Sequence, residues 1–229
     1  MSTAMQRAYA LSFRRTQSPC REMVTKFGGQ PVWAGEPQWP ISRSLGEQMT
    51  FICQIVLYPE IFGQTVGKMA YIFMTDLEEK VVPAWDPDAG ENAVIIQPGR
   101  LPNIKTLTAP IGPTLYEYLD VPGQEQAQPR PCEYLVDTIR RTDPVFMDEA
   151  HRQGMDDQSF EQYSKAVEGN KVGGTPAFLQ EDAMPPGGKL LLQLDSAQVP
   201  FYVNFGDCGL GFAFISPDGS QGRFLFQSY

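Results

Sequence analysis

The stretch Lys26–Trp33, KFGGQPVW, returns 145 residues later as Lys171–Phe178, KVGGTPAF. Both copies read lysine, apolar residue, two glycines, polar residue, proline. A glycine pair lets the chain take positive φ or pass close to a neighbour, and the residue before proline is held extended. Three more landmarks follow in the same order. FICQI (Phe51–Ile55) matches LLLQL (Leu190–Leu194), GKMAYIFM (Gly67–Met74) matches GLGFAFIS (Gly209–Ser216), and VIIQ (Val94–Gln97) matches FLFQ (Phe224–Gln227). Recurring landmarks with spacers of different length point to an internal duplication. These three later segments are short, apolar and aromatic or β-branched, and turn formers bound them, so they are expected to be strands.

One such unit has too few strands to close a core, whereas two packed together would bury both apolar faces. The expected fold class is therefore α+β, mostly antiparallel β. Two internally duplicated β halves would pack with pseudo-twofold symmetry, with a few peripheral helices, as one domain over residues 1–229. Its expected parts are an N-terminal helix (1–20), a first β repeat (21–99), an acidic helical and loop insert (100–169) and a second β repeat (170–229). The N-terminal helix would carry Met5, Ala8, Tyr9 and Ser12 along one side. In the insert, Glu133–Arg141 reads as a helix with Leu135, Val136 and Ile139 inward. Ser159–Val167 reads as another, with Phe160, Tyr163 and Val167 inward.

Formal charge is −9 and the isoelectric point about 4.7. Residues 1–60 hold six basic and four acidic side chains, a net of +2, which leaves −11 for residues 61–229. That balance repels phosphate backbones and argues against nucleic acid as ligand; it suits a basic partner, and it also keeps a protein soluble. No run approaches the ~20 apolar residues of a membrane span, and the N-terminus does not read as a signal peptide. The expectation is a cytoplasmic protein with no membrane partner, its four cysteines (Cys20, Cys53, Cys132, Cys208) reduced. Gln54, Gln97, Gln193 and Gln227 close apolar strands. They are expected to satisfy turn or loop backbone where the halves meet, the alternative being a paired polar cleft.

The phrases GGQPVWAGEPQWP and MTFICQIVL, with KVGGTPAFLQ, LLLQLDS, NFGDCGLGFAFIS and FLFQ, are together similar to the YwqG-like proteins, a bacterial domain family of unknown function. The resemblance covers both halves and leaves out mainly the middle segment and the N-terminus. It implies a mostly antiparallel β fold with internal pseudo-symmetry and a few helices, and it supplies no catalytic residues. Members occur beside secreted bacterial toxins. The resemblance thus implies an immunity role, here toward a DNase effector of a type VI secretion system, since a nuclease offers a basic cleft to an acidic partner.

The residues themselves offer little for catalysis. His151 lies alone in the acidic DEAHRQG, and no His, Cys, Asp or Glu spacing resembles a metal site, so neither metal nor cofactor is expected. Cys208, in NFGDCGLGF, neighbours Asp207 and no base. DPDAGEN (Asp86–Asn92) lacks the register of a calcium loop and reads as an acidic turn. Paired acids such as Glu78-Glu79, Asp148-Glu149, Asp156-Asp157 and Glu181-Asp182 read as solvated charge. The leading expectation is a non-enzymatic protein that binds and neutralises a cognate basic toxin, a nuclease, by covering its active cleft. Its contacts would be Asp86, Asp88, Glu117, Asp120, Asp148, Glu149, Asp156 and Asp157, with Tyr116 and Tyr118 as anchors. The alternatives are a metabolite-binding module, using a cleft between the halves lined by the four glutamines and Trp33, Trp39 and Trp85, and a hydrolase built on Cys208.

Overall fold

The computed structural model describes residues 5–63, 65–77, 81–124 and 126–229. Its main feature is a ten-stranded antiparallel sheet. In chain order the strands of the first half are β1 (Met5–Arg15), β2 (Lys26–Gly28), β3 (Trp39–Pro40), β4 (Thr50–Val56), β5 (Met69–Met74) and β6 (Asn92–Gln97). The middle segment adds β7 (Thr106–Leu107), β8 (Tyr116–Leu119), β9 (Gln128–Pro131) and β10 (Glu133–Pro144). The last part supplies β11 (Lys171–Gly173), β12 (Lys189–Asp195), β13 (Leu210–Ile215) and β14 (Gly222–Gln227). Sheet order is β14-β13-β12-β11-β1-β10-β2-β4-β5-β6, while β3 pairs with β7 and β8 with β9 in two small sheets. Three α-helices stand outside: α1 (Pro59–Phe62), α2 (Glu149–Gln153) and α3 (Asp157–Val167).

The sheet curls until its edges nearly meet. β6 and β14 lie against each other without a ladder between them, and a Cβ added to Gly222 would stand 2.2 Å from Val94 Cγ1. Inside the curl, one apolar cluster takes Ile55, Ile72 and Val94 from one side and Leu192, Ile215 and Phe224 from the other. Each side also buries its outer face. The chain after Gly28-Gly29 covers Phe51, Tyr71 and Phe73 with Trp33 and Trp39, and the chain after Gly173-Gly174 covers Phe212 and Phe214 with Phe178 and Leu179.

The recurring phrases occupy corresponding places. Lys26 pairs with Gln54 across β2 and β4, and Lys171 pairs with Gln193 across β11 and β12. Each long strand carries a register shift at the same point, between Phe51 and Cys53 and between Leu190 and Leu192. Gln54 accepts from Val32 N–H and Gln193 from Ala177 N–H, both at 2.8 Å, and each donates back to loop carbonyls. Gln97 and Gln227 hold the next turns, accepting from Gly35 and from Leu179 and Gln180. All four amides serve loops of their own half, not the line where the halves meet.

Both lysines are fully buried, and their surroundings explain the phrase. Lys26 Nζ donates to Glu133 Oε1 (2.5 Å), Gln30 O (2.7 Å) and Cys20 O (3.3 Å). Lys171 Nζ donates to Asp143 Oδ2 (2.7 Å), Thr175 O (2.6 Å) and Val167 O. In each case the carbonyl four residues on, just before the proline, is drawn back onto the ammonium, and all three N–H donors are used. The glycines make room. Gly29 and Gly174 have φ of 65° and 79°, and a Cβ would stand 2.5 Å from Glu133 Cδ or 2.3 Å from Asp143 Oδ2.

Two expected helices are strands. The N-terminal segment, read as a helix through Met5, Ala8, Tyr9 and Ser12, forms β1 from Met5 onward, with residues 1–4 outside the described residues. The deciding pattern is the alternation Tyr9, Leu11, Phe13, which turns toward the inner core on one face while Ser12 is exposed. Glu133–Arg141 is most of β10: Tyr134 and Val136 face the core, whereas Ile139 is 68% exposed. α3 does form, with Tyr163 and Val167 buried as expected, but Phe160 points outward and is 46% exposed.

Burial pulls the Lys171 ammonium down to about 8, against the attraction of Asp143. The unfolded lysine keeps its proton to higher pH, so this group's contribution to stability rises as pH climbs from about 8 toward the ordinary lysine range. Lys171→Met should lower stability at pH 7 by about 3–5 kcal/mol, because it strands Asp143. Urea denaturation should show that deficit shrinking in Asp143→Leu/Lys171→Met. Gly174→Ala should lose at least ~2 kcal/mol, from backbone strain and the displaced carboxylate.

Candidate partner-binding surface

The residues expected to meet a partner do not form one patch. They fall at three places, two of them at opposite ends of β10, which at roughly 3.3 Å per residue are about 35 Å apart.

At the Glu133 end stands the β8–β9 hairpin. Tyr116 and Tyr118 meet a third ring, Tyr202: centroids lie 5.2 Å apart for Tyr116–Tyr202, 5.5 Å for Tyr116–Tyr118 and 5.6 Å for Tyr118–Tyr202. Tyr118 is 43% exposed. Opposite them on β9 are Pro131 and Pro129, which have no N–H to offer a further strand. Glu117, expected as a contact, is internal instead, its side chain only 11% exposed. Its Oε1 takes Arg15 and its Oε2 takes Tyr134 Oη–H at 2.6 Å. Burial pushes the Glu117 carboxyl up, but those hydrogen bonds outweigh it and hold it below the usual range. Asp120 is exposed just beyond β8.

At the Pro144 end are α2 and α3, tied to β10 by Arg141, which donates to Glu168 O (3.1 Å) and Ala166 O. Asp148 and Asp156 are helix caps. Asp148 Oδ1 accepts from His151 N–H (2.9 Å) and lies 2.6 Å from His151 Nδ1. Asp156 accepts from Ser159 N–H and Ser159 Oγ–H, both at 2.9 Å. The backbone donor, followed by the side-chain one, lowers each carboxyl below its ordinary value. Glu149, Asp157 and Glu161 are exposed on these helices, and Phe160 is exposed on α3 one turn after Asp157 and next to Glu161. His151 is thus a capping neighbour at the surface. The sequence signal for both caps, aspartate three residues before a closing donor, was available in DEAH and DDQS.

The third place is the seam between β6 and β14. Asp88 Oδ2 accepts from Arg223 (2.6 Å), and Asp86 Oδ1 accepts from Asp88 N–H in an acidic turn. A cleft of about 310 Å³ opens beside them, walled by Pro87, Ile104, Pro186 and Phe214. The glutamines and tryptophans expected to line such a cleft are elsewhere. Trp39 is buried with Nε1–H on Met49 O (2.8 Å), Trp33 donates to Pro110 O, and Trp85 is 53% exposed.

Cys208 is exposed at φ 45°, and all four cysteines are free. Among the described residues no three His, Cys, Asp or Glu side chains are grouped to hold a metal. Asp182 flanks α2 and pairs with Arg152 at 2.7 Å, and Glu181 is exposed beside it in sequence; Glu78 and Glu79 lie outside the described residues. No described helix is long and apolar enough to cross a membrane.

A curled, mostly antiparallel sheet with few helices defines the fold. The chain belongs to the family described as a domain of unknown function (DUF1963), whose profile matches residues 68–224, from before β5 into β14. A comparison with curated proteins returns no match.

The caps separate structural from free acids. Asp156→Ala should cost about 1 kcal/mol of stability in thermal or urea unfolding. Asp157→Asn and Glu161→Gln should each stay within about 0.5 kcal/mol of the parent.

Proposed function

We propose that this protein is a non-enzymatic immunity protein that binds a cognate bacterial toxin with a basic surface and covers its active cleft. The observation that carries this reading is the exposure of Phe160 on α3, one helical turn from Asp157 and next to Glu161, with Glu149 exposed on the neighbouring α2 in sequence. An exposed aromatic ring on an acidic helix has the composition of an anchor for a cationic cleft: the charges speed encounter and the ring supplies desolvated contact. The net charge of −9 acts in the same direction. A nuclease is the toxin class with the most suitable cleft, since it must attract phosphate, and the YwqG-like resemblance makes a DNase effector of a type VI secretion system the specific candidate. In this reading the protein is cytoplasmic, where an incoming effector would act.

We further propose that its two halves descend from one duplicated unit, related by a pseudo-twofold axis through the β1–β10 pair. The Lys–Gln register, the bulge positions and the two buried ammonium groups support that origin. The seam cleft keeps a metabolite-binding module as the second reading, because its volume lies at the lower end of those that hold small ligands.

The test is to co-express the protein with the C-terminal domain of any effector found encoded beside its gene; a neighbourhood with no such effector counts against the reading. The parent should rescue growth and co-purify with that domain. Lysine at positions 149, 157 and 161 together should slow association severalfold and flatten its salt dependence while the melting temperature holds. Phe160→Ala should mainly speed dissociation. Association kinetics indifferent both to ionic strength and to these changes would eliminate the α2–α3 face as the recognition surface.

A further inference from the structure

β10 has twelve residues, but only its first three, Glu133 to Leu135, pair with β2. On its other side β1 covers it almost throughout. Two hydrogen bonds fix which way its main-chain groups point. Gly29 N–H donates to Cys132 O (2.8 Å) on the β2 side, and Thr16 N–H donates to Glu133 O (2.9 Å) on the β1 side. The direction alternates along an antiparallel strand, so even-numbered residues address the β2 side and odd-numbered residues address β1. Past Leu135, Val136 and Thr138 therefore direct N–H and C=O groups to an edge that no described strand pairs.

This edge opens into a groove of about 1020 Å³. One wall is Val136 and Thr138, and the other is Val56 and Tyr58, beyond the point where β2 stops. Arg14 and Arg15 at the end of β1 and Arg21 in the segment between β1 and β2 rim it, with Glu22 as the one acid among the described lining residues. Arg15 is committed to Glu117, and Arg14 lies 3.5 Å from Asp137 with both side chains well exposed. Arg21 is exposed and makes no ion pair among the described residues. A basic rim is unusual on a chain of charge −9, and it lies at the other end of β10 from the acidic α2–α3 face.

We propose that this groove receives an extended segment of a partner protein, which adds as a strand to the free edge of β10 and carries acidic side chains alternating with apolar ones. Strand addition supplies affinity through main-chain hydrogen bonds, and alternate side chains supply selectivity. The apolar side chains of that segment meet Val56 and Tyr58, which line the groove, and its acidic ones meet Arg14 and Arg21. The short free edge, flanked by charged Asp137 and Arg140, resists indiscriminate pairing with other copies. The site is independent of the toxin-binding face, so either can fail without the other.

The test uses ¹⁵N-labelled full-length protein and an acetylated, amidated heptapeptide of alternating glutamate and valine. In the free protein the amides of Val136 and Thr138 should exchange rapidly, while those of Asp137 and Ile139, bonded to β1, exchange slowly. Peptide should shift the Val136 and Thr138 resonances and slow their exchange. Thr138→Pro deletes one outward donor and leaves the β1 ladder intact, so it should weaken peptide binding on the order of tenfold. Arg14→Glu/Arg21→Glu, which leaves the backbone untouched, should weaken it by up to about tenfold even if the proline variant does not fold. Slow exchange at Val136 and Thr138 before peptide is added would overturn the proposal. Equal binding of a peptide N-methylated at alternate residues, or no response at these two amides, would overturn it as well.

Discussion

The structure hangs on two ammonium groups fully buried at either end of one strand. Lys26 reaches Glu133 and Lys171 reaches Asp143, and both carboxylates belong to β10. A buried charge is tolerated only when it is paired and its remaining hydrogens are bonded, and each lysine meets that condition with one carboxylate and two carbonyls. The requirement fixes the surroundings. The carbonyl before each proline must curl back, the glycine pair must turn through positive φ, and the carboxylate must pass where a Cβ would sit. Arg141 Nε, 2.8 Å from Asp143 Oδ1 but off the line of a hydrogen bond, adds a coulombic contact at that end.

From those two points the sheet spreads outward in matching order, β2-β4-β5-β6 on one side and β11-β12-β13-β14 on the other. The glutamines finish what the lysines start. Each amide fastens the loop that lies over the outer aromatic cluster of its own half, so Trp33 and Phe178 are held down by polar bonds as well as by apolar contact. Elsewhere buried polarity follows the same rule. Glu91 is wholly buried, and the Ser42 and Thr75 hydroxyls and the Ser44 N–H bond it; they outweigh the desolvation that would otherwise raise its carboxyl.

Much of this was legible. The three apolar landmarks named the strands that became β4, β5, β6 and their counterparts, because short apolar runs between turn formers leave few other options, whereas the Gly-Gly phrase, read as a turn, also holds the short β2 and β11. What the eye missed was β1 and β10. Both are two-faced strands in the middle of the sheet, part exposed and part buried, and their mixed composition imitates an amphipathic helix: Leu135, Val136 and Ile139 fit a helical face as well as Tyr134 and Val136 fit a strand. Only the partner strand, 119 to 139 residues distant, decides between them. The surface was harder still. Glu117, Asp148 and Asp156 look alike as exposed acids in one dimension, yet one is locked to Arg15 and Tyr134 and two are caps. Phe160 was misread because α3 buries the narrower stripe of Tyr163 and Val167.

The position of β1 governs how the molecule can be assembled. It is made before the strands it joins, yet it belongs at the middle of the sheet, and its neighbours β10 and β11 are made more than a hundred residues later. Until then it has no ladder to join, and the early strands β4, β5 and β6 can collapse only as a fragment. Closing such a distant pairing is slow and leaves an apolar strand waiting in the open. The sheet therefore cannot grow in chain order: β1 has to wait for β10, and only the β1–β10 pair can then receive β11 and the strands after it.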